Sequence, residues 1–405
     1  MNKTYCLCYL LLIAWVAAPI FAEPVVIGET STIQSEILGE ERTLMVHLPD
    51  GYATSQTSYP VLYLLDGASN FHHTTGTIKA LSRAGHVPEM IVVGIINTDR
   101  TRDLTPTADS PDPETGEVAM PTAGGADNFL RFFNEELIPH VEKTYRTAPF
   151  RILVGHSLGG LFTLHALVAS PETFNSYIAI SPSLQWDDGE LVERAQAAFA
   201  NVEQLNKYVF MSIANEGGEM LANLSRLTEF LTYSGPEGLV WEFRLMEGDD
   251  HGTVPIRSTY LGLRLTYPRW RIPRGFSSEP KLSGLQQHYA KLSAEYGYTV
   301  PIPEGRINWL GYMVMGSGDI AGAIEIFEAN VERFPGSANV YDSLAEALEN
   351  DEQYAAALEK YDKAYKRAQE IDDLNTGIYK QNFDRVKVKI TEMNGTTETE
   401  RQGSP

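Results

Sequence analysis

Residues 151–162 read RILVGHSLGGLF and set Ser157 between Gly155 and Gly159. β-Formers precede the first glycine, and LFTLHALVA predicts a helix from Leu158 to Ala169. A strand that turns this sharply into a helix leaves no room for side chains at Gly155 and Gly159, and it pushes Ser157 outward above the sheet. A serine hydroxyl there is a weak nucleophile. It needs a base within hydrogen-bond reach and a third group to orient that base.

The expected base is His251, in EGDDHGTV, because a Ser–acid–His chain order puts the histidine after the last strand. Of the other histidines, His47 falls in a strand and His165 in a helix, and both read as structural. His140 and His288 read as helix-surface residues, and His156 is expected to point away from Ser157. His72 and His73 follow the LLDG turn, where they would line the pocket. The acid should follow the strand YVFMSIA, in NEGGEM. Glu216 lies directly at the strand end, which holds a side chain more firmly than a loop does. Glu219 is the alternative acid; otherwise it is a helix N-terminal carboxylate favoured by the dipole. Asp249 and Asp250 read as solvated loop charges. Acyl transfer also needs donors for a developing oxyanion. The N–H of Leu158, after the nucleophile, is one; the N–H of Ala68, after the tight turn that Gly67 permits, is the other. Asp66 is expected to brace that turn.

These groups need a scaffold. TLMVHL, VLYLLD, MIVVGII, RILVG, YIAIS, YVFMSIA and VWEFRLM are short apolar runs separated by helical stretches. Strands apolar at nearly every position imply a largely parallel sheet covered on both faces, an α/β architecture. Residues 101–125, rich in Pro, Gly, Asp and Thr, read as a long loop over one edge. Beyond Pro268 helices take over. Residues 304–337 and 338–371 align at an offset of 34, matching Leu310 with Leu344, Gly311 with Ala345, Ala323 with Ala357 and Phe327 with Tyr361. The period and these small and large positions resemble the tetratricopeptide repeat. Pro335 stands at that repeat's closing proline, and Gln369 replaces it in the second copy. Helices near 284–296 and 378–393 are expected to cap the pair, and residues 394–405 to be disordered.

The chain opens with Lys3, an apolar run over residues 6–22 and then Glu23-Pro24. This pattern predicts a secretory signal peptide over residues 1–22, cleaved after Ala22, and an exported, periplasmic or secreted protein with no stable membrane span. Both cysteines, Cys6 and Cys8, fall in that segment, so the mature chain would have neither disulfide nor thiolate chemistry. A formal charge of −21 disfavours nucleic acid as a partner. His72 and His73 lack a carboxylate at useful spacing, so no metal site is expected. HSLGG lacks the Gly-Lys-Ser/Thr ending of a phosphate loop, and no cofactor is expected.

VLYLLDG, NTDRTRDLTP, GHSLGG and SPSLQWD together resemble the putative esterase family that includes esterase D, the enterochelin esterases and the mycolyltransferases. The likeness covers roughly residues 27–268 and is strongest to enterochelin-esterase-like hydrolases, some of which carry tetratricopeptide repeats after the catalytic domain. It implies an α/β-hydrolase sheet with helices on both faces over residues 23–276, followed by an all-α repeat domain over residues 277–393. It maps the nucleophile and base onto Ser157 and His251, and the oxyanion donors onto Ala68 and Leu158. It leaves Glu216 and Glu219 both open. Arg100 and Arg102 fall in a loop that borders the pocket in such enzymes, where they would hold an anionic substrate group or pair with Asp99 and Asp103. His72 and Trp186 complete the expected substrate-binding set. The resulting expectation is a serine esterase acting on a small ester, with a siderophore lactone esterase, an acyltransferase and a repeat-based binding protein as alternatives. The repeats would serve a protein partner or self-association.

Overall fold

Among the described residues the strands are β1 (Glu29–Ser35), β2 (Glu40–His47), β3 (Tyr59–Leu64), β4 (Ile91–Ile95), β5 (Thr147–His156), β6 (Ser176–Ile180), β7 (Tyr208–Ile213) and β8 (Val240–Leu245). They form one sheet in the order β1-β2-β4-β3-β5-β6-β7-β8. β2 runs antiparallel to β1 and to β4, and every other neighbouring pair is parallel. The structure is a computed structural model that describes residues 24–53, 55–111, 114–273, 276 and 280–402. The expected signal segment and its cleavage site lie outside the described residues. β1 was not legible as a strand: ETSTIQS has a single apolar residue, Ile33, and lies at the sheet's rim.

β3, β4 and β6 are buried along their whole length, as parallel strands covered on both faces must be. One face is covered by α1 (Gly67–Arg83), which packs beside α8 (Val254–Thr266). The other is covered by helices from the intervening chain, which bury Tyr63, Leu153 and Tyr177. After the short α2 (Arg100–Leu104), these are α3 (Ala126–Phe132), α4 (Ile138–Thr144), α5 (Leu158–Ala169), α6 (Glu190–Phe199) and α7 (Gly218–Ser234). α3 and α4 are joined by one π turn, Phe133–Leu137, which precedes Ile138-Pro139. Proline has no N–H to give the preceding turn, so the α ladder is interrupted there. Phe133 in that turn packs edge-on against Tyr63 and Phe174, at ring distances of 5.8 and 5.6 Å.

Six further helices follow: α9 (Leu282–Tyr296), α10 (Glu304–Gly316), α11 (Ile320–Arg333), α12 (Ala338–Asn350), α13 (Tyr354–Glu370) and α14 (Thr376–Gln402). α9 docks on the α/β unit through Tyr296, whose ring lies 5.0 Å from Tyr267 and 5.3 Å from Phe150. Its hydroxyl donates to Thr266 O at 3.3 Å. α10–α11 and α12–α13 are two helical hairpins, and Gly311 of α10 faces Phe327 so closely that a Cβ there would stand 2.5 Å from the ring. α14 continues to Gln402, past Asn394, where the sequence reading expects a disordered tail. Among the described residues no helix is long and apolar enough to cross a membrane.

Candidate active site

Ser157 stands between the end of β5 and the start of α5 with φ 61° and ψ −119°, a conformation L-residues rarely adopt. The flanking glycines make this turn possible. A Cβ on Gly155 would stand 2.1 Å from Gly159 O, and one on Gly160 would stand 2.9 Å from Ile180 O. The Ser157 N–H donates to Ile180 O at 2.9 Å and its carbonyl accepts from Ser183 N at 3.1 Å, so neighbouring β6 holds the turn. Leu158 is the first residue of α5 and Ala68 the second of α1. The N–H groups of a helix's first turn have no partner within the helix.

His251 follows β8 in a tight loop, where Asp250 Oδ1 accepts from the N–H groups of Gly252 and Thr253 at 3.0 and 2.9 Å. Its Nδ1 is hydrogen-bonded to Glu216 Oε1. A carboxylate only accepts, so the bond places a proton on Nδ1, and in the neutral ring Nε2 then carries the lone pair. Glu216 Oε2 is held in turn by Ser181 Oγ at 2.7 Å and Ala214 N at 3.1 Å. Glu219 is exposed in the first turn of α7. Asp249 pairs with Arg257 at 2.6 Å.

Two neighbours were missed by the sequence reading. His156, expected to point away from Ser157, lies against His251: the two rings are 4.4 Å apart at 44°. Burial, reinforced by His251, pushes the His156 imidazole down to about 4, so it stays neutral beside the His251 ring at pH 7. Ser183 Oγ lies 3.3 Å from Ser157 Oγ. Both Ser181 and Ser183 follow β6 in SPSLQWD, and their position at a strand's carboxyl end was the available signal.

The two arginines are engaged inside the protein. Arg100 does not meet Asp99 or Asp103; it grips Asp66 with Nε and Nη2 at 2.6 and 3.0 Å and donates to His156 O at 3.2 Å. Asp66, with φ 53°, also accepts from Asn97 at 2.6 Å, so it braces the turn before Ala68. Arg102 pairs with Asp103 and with Glu40, at 2.8 and 2.6 Å. Arg102 therefore belongs to the network around fully buried Arg42, which meets Asp103 at 2.5 Å. His72 is exposed on α1, and His73 is bonded to Asn70 at 3.0 Å. Trp186 Nε1 donates to Thr107 Oγ1 at 3.0 Å, tying the segment after β6 to the long loop over residues 105–125.

A family model described as putative esterase matches residues 35–237, half of the chain. The chain belongs to the putative esterase family. Among its esterase relatives, ferri-bacillibactin esterase BesA of Bacillus subtilis is 33% identical over 216 residues, which cover 48% of this chain and 74% of that one. A siderophore enterobactin esterase of Emericella nidulans is 37% identical over 159 residues, 35% of this chain and 52% of its own length. Among solved structures, an IroE-like serine hydrolase from Shewanella oneidensis superposes with a TM-score of 0.66 at 28% identity, over 76% of this chain and 99% of that one. The esterase fold is thus an α/β-hydrolase-like sheet, with an all-helical region after it.

Proposed function

We propose that this esterase is a serine hydrolase of siderophore-type esters, working through an acyl-enzyme on Ser157. The observation that carries the reading is the Glu216–His251 hydrogen bond, at the same end of the sheet as a serine held at positive φ. His251 Nε2 takes the Ser157 proton as Oγ attacks the ester carbonyl. The tetrahedral oxyanion accepts from the N–H groups of Ala68 and Leu158. His251 then gives the proton to the leaving alcohol, and in the second half it activates the water that releases the acid. Glu216 holds the ring and balances its charge, while Ser181 fixes Glu216. The relatives' named substrates, ferri-bacillibactin and enterobactin, favour an ester joining bulky siderophore units.

Export rests on residues 1–22, and the amino-terminal mass of protein recovered from the periplasm or medium tests it. The hairpins after Pro303 are read as tetratricopeptide-type repeats, because helix starts at Glu304 and Ile320 recur 34 residues later at Ala338 and Tyr354.

The deciding experiment compares the native chain with Ser157→Ala on a siderophore triester and on p-nitrophenyl esters from acetate to palmitate, with fluorophosphonate labelling alongside. Native protein should label and should cleave the triester in preference to simple esters. Ser157→Ala should lose labelling and on the order of 10⁶ in kcat, as when a triad serine is removed, with the thermal midpoint unchanged. Ordinary activity in that variant refutes the mechanism; preference for simple esters refutes the substrate class alone.

A further inference from the structure

The sheet's two rims differ in a way that catalysis does not require. At one end β1 is polar, with Ile33 its single apolar residue. At the other, β8 reads VWEFRL, and among the described residues no strand pairs with it beyond β7. Open edges are normally blunted by charge, proline or cover. Here the two charges of the strand, Glu242 and Arg244, pair with each other, and apolar side chains stay open beside them: Val240 and Leu245 are 42% and 45% exposed, and nearby Tyr233 of α7 is 81% exposed. Trp241 and Phe243 line an open groove of about 450 Å³ against α7.

The hydrogen-bond phase of β8 decides which groups face outward. Val240 N donates to Lys207 O at 2.9 Å and Met246 N to Ile213 O at 2.8 Å, so even-numbered residues bond toward β7. In a parallel pair the bonding residues alternate along the strand. The N–H and C=O groups of Trp241, Phe243 and Leu245 therefore point away from the sheet. Side chains alternate as well. Trp241, Phe243 and Leu245 share the face toward α7, while Glu242 and Arg244 lie together on the opposite face and pair with each other within the strand.

We propose that β8 is the contact between two copies of this chain, paired antiparallel about a two-fold axis through Phe243. That register joins outward-facing residues only to outward-facing ones: Phe243 to Phe243 of the second copy, and Trp241 to Leu245 in both directions. Each such pair exchanges both of its main-chain bonds. The same register sets Glu242 opposite Arg244 of the second copy, twice, in the non-hydrogen-bonded positions where side chains approach most closely. The sheet then continues across the axis, and Leu245 of each copy covers the Trp241 end of the other's groove. Antiparallel pairing also sends the two copies of α9, which meets Tyr208 at the start of β7 through Glu295, to opposite ends of the joint.

The test uses the charge pair in the full chain. Sedimentation equilibrium and light scattering over a wide concentration range should give a dimer for the native protein. Glu242→Arg alone, or Arg244→Glu alone, sets like charges opposite each other twice, and each should weaken the dimer roughly tenfold or more. The double exchange, Glu242→Arg with Arg244→Glu, should restore it. An equimolar mixture of the two single variants should associate better than either alone, because each then meets its complement. Both sites are at the surface, so circular dichroism should match the native chain, and thermal midpoints should match once both proteins are diluted to monomer. A native protein that is monomeric at every concentration overturns the proposal and leaves the edge to an extended segment of a different protein. A dimer indifferent to the single exchanges, or mixed variants that fail to associate, overturns it too.

Discussion

Replacing His156 by glutamine should flatten the acid limb of the stability curve. In the folded protein burial, and secondarily the neighbouring His251, lowers the His156 imidazole from its ordinary 6.5 to about 4. Asp66 and Glu216 pull the other way and Arg100 adds to the lowering, all three more weakly than burial. Unfolded, the ring titrates near its ordinary value, so between about pH 6.5 and 4 the unfolded chain binds a proton that the folded chain refuses. Stability therefore falls as pH drops through that window, and below the folded value this group costs nothing more. At about 1.36 kcal/mol per unit, a depression of about 2.5 units sets a ceiling near 3 kcal/mol. Residual solvent contact at the ring keeps the measured value below it. Urea unfolding at a series of pH values, native chain against His156→Gln, isolates this contribution, because the carboxylates titrate alike in both. The difference between the two curves should change by about 1–3 kcal/mol from pH 7 to 4, with the native chain losing more. The His156 ring-proton resonance should titrate near the lowered value. Parallel stability curves, or a His156 midpoint close to 6.5, refute the claim that this ring is kept neutral by burial.

Among the acids, Glu216→Gln should cost on the order of 10²–10⁴ in kcat, while Glu219→Gln should stay close to native; ester kinetics that reverse this order would move the acid role to Glu219. Tyr296→Ala should destabilise the full chain by about 3–5 kcal/mol, the usual range for removing a large buried aromatic side chain, since the ring fills the space between Tyr267, Phe150 and Trp270. Chemical unfolding measures it, and a loss under about 1 kcal/mol would mean that α9 does not anchor the helical region. A chain ended at residue 276 keeps Ser157, Glu216 and His251 but exposes that aromatic face. It should be less stable and still hydrolyse a small ester, and a folded truncation without activity would show that the helices help to build the site.

Local signals sufficed where one short stretch dictates one geometry. GHSLGG specifies its turn because the backbone approaches so closely at Gly155 that only glycine fits; the second such position is Gly160, whereas the expected Gly159 is less confined, its nearest atom being Asp66 Oδ2 at 3.2 Å from an added Cβ. Apolar runs bounded by helices specified a parallel sheet, since a strand buried on both faces has no polar positions to spare. The 34-residue recurrence of Gly311, Phe327, Ala345 and Tyr361 specified two stacked hairpins, because small and large side chains must alternate where helices touch. Where polarity hid the pattern, as in ETSTIQS, the strand went unread, and its pairing with β2 supplies what its composition does not.

Choices between near neighbours in sequence were made by the tertiary structure. Glu216 and Glu219 are three residues apart in one acidic, glycine-rich turn, and no local property separates them. The close of β7 at Ile213 and the start of α7 at Gly218 send one carboxylate to His251 and the other to solvent. His156 looked peripheral because strand alternation turns it from Ser157, yet the loop after β8 brings the His251 ring onto it. Arg100 had two aspartates beside it in sequence and took a third, Asp66, from the end of β3, because the neighbours of α2 in space are set by sheet order. The chain by itself therefore determined which residue types could react and on what scaffold. Which of them meet was decided by packing, since contacts between residues far apart in sequence depend on strand order and on where each loop returns to the sheet.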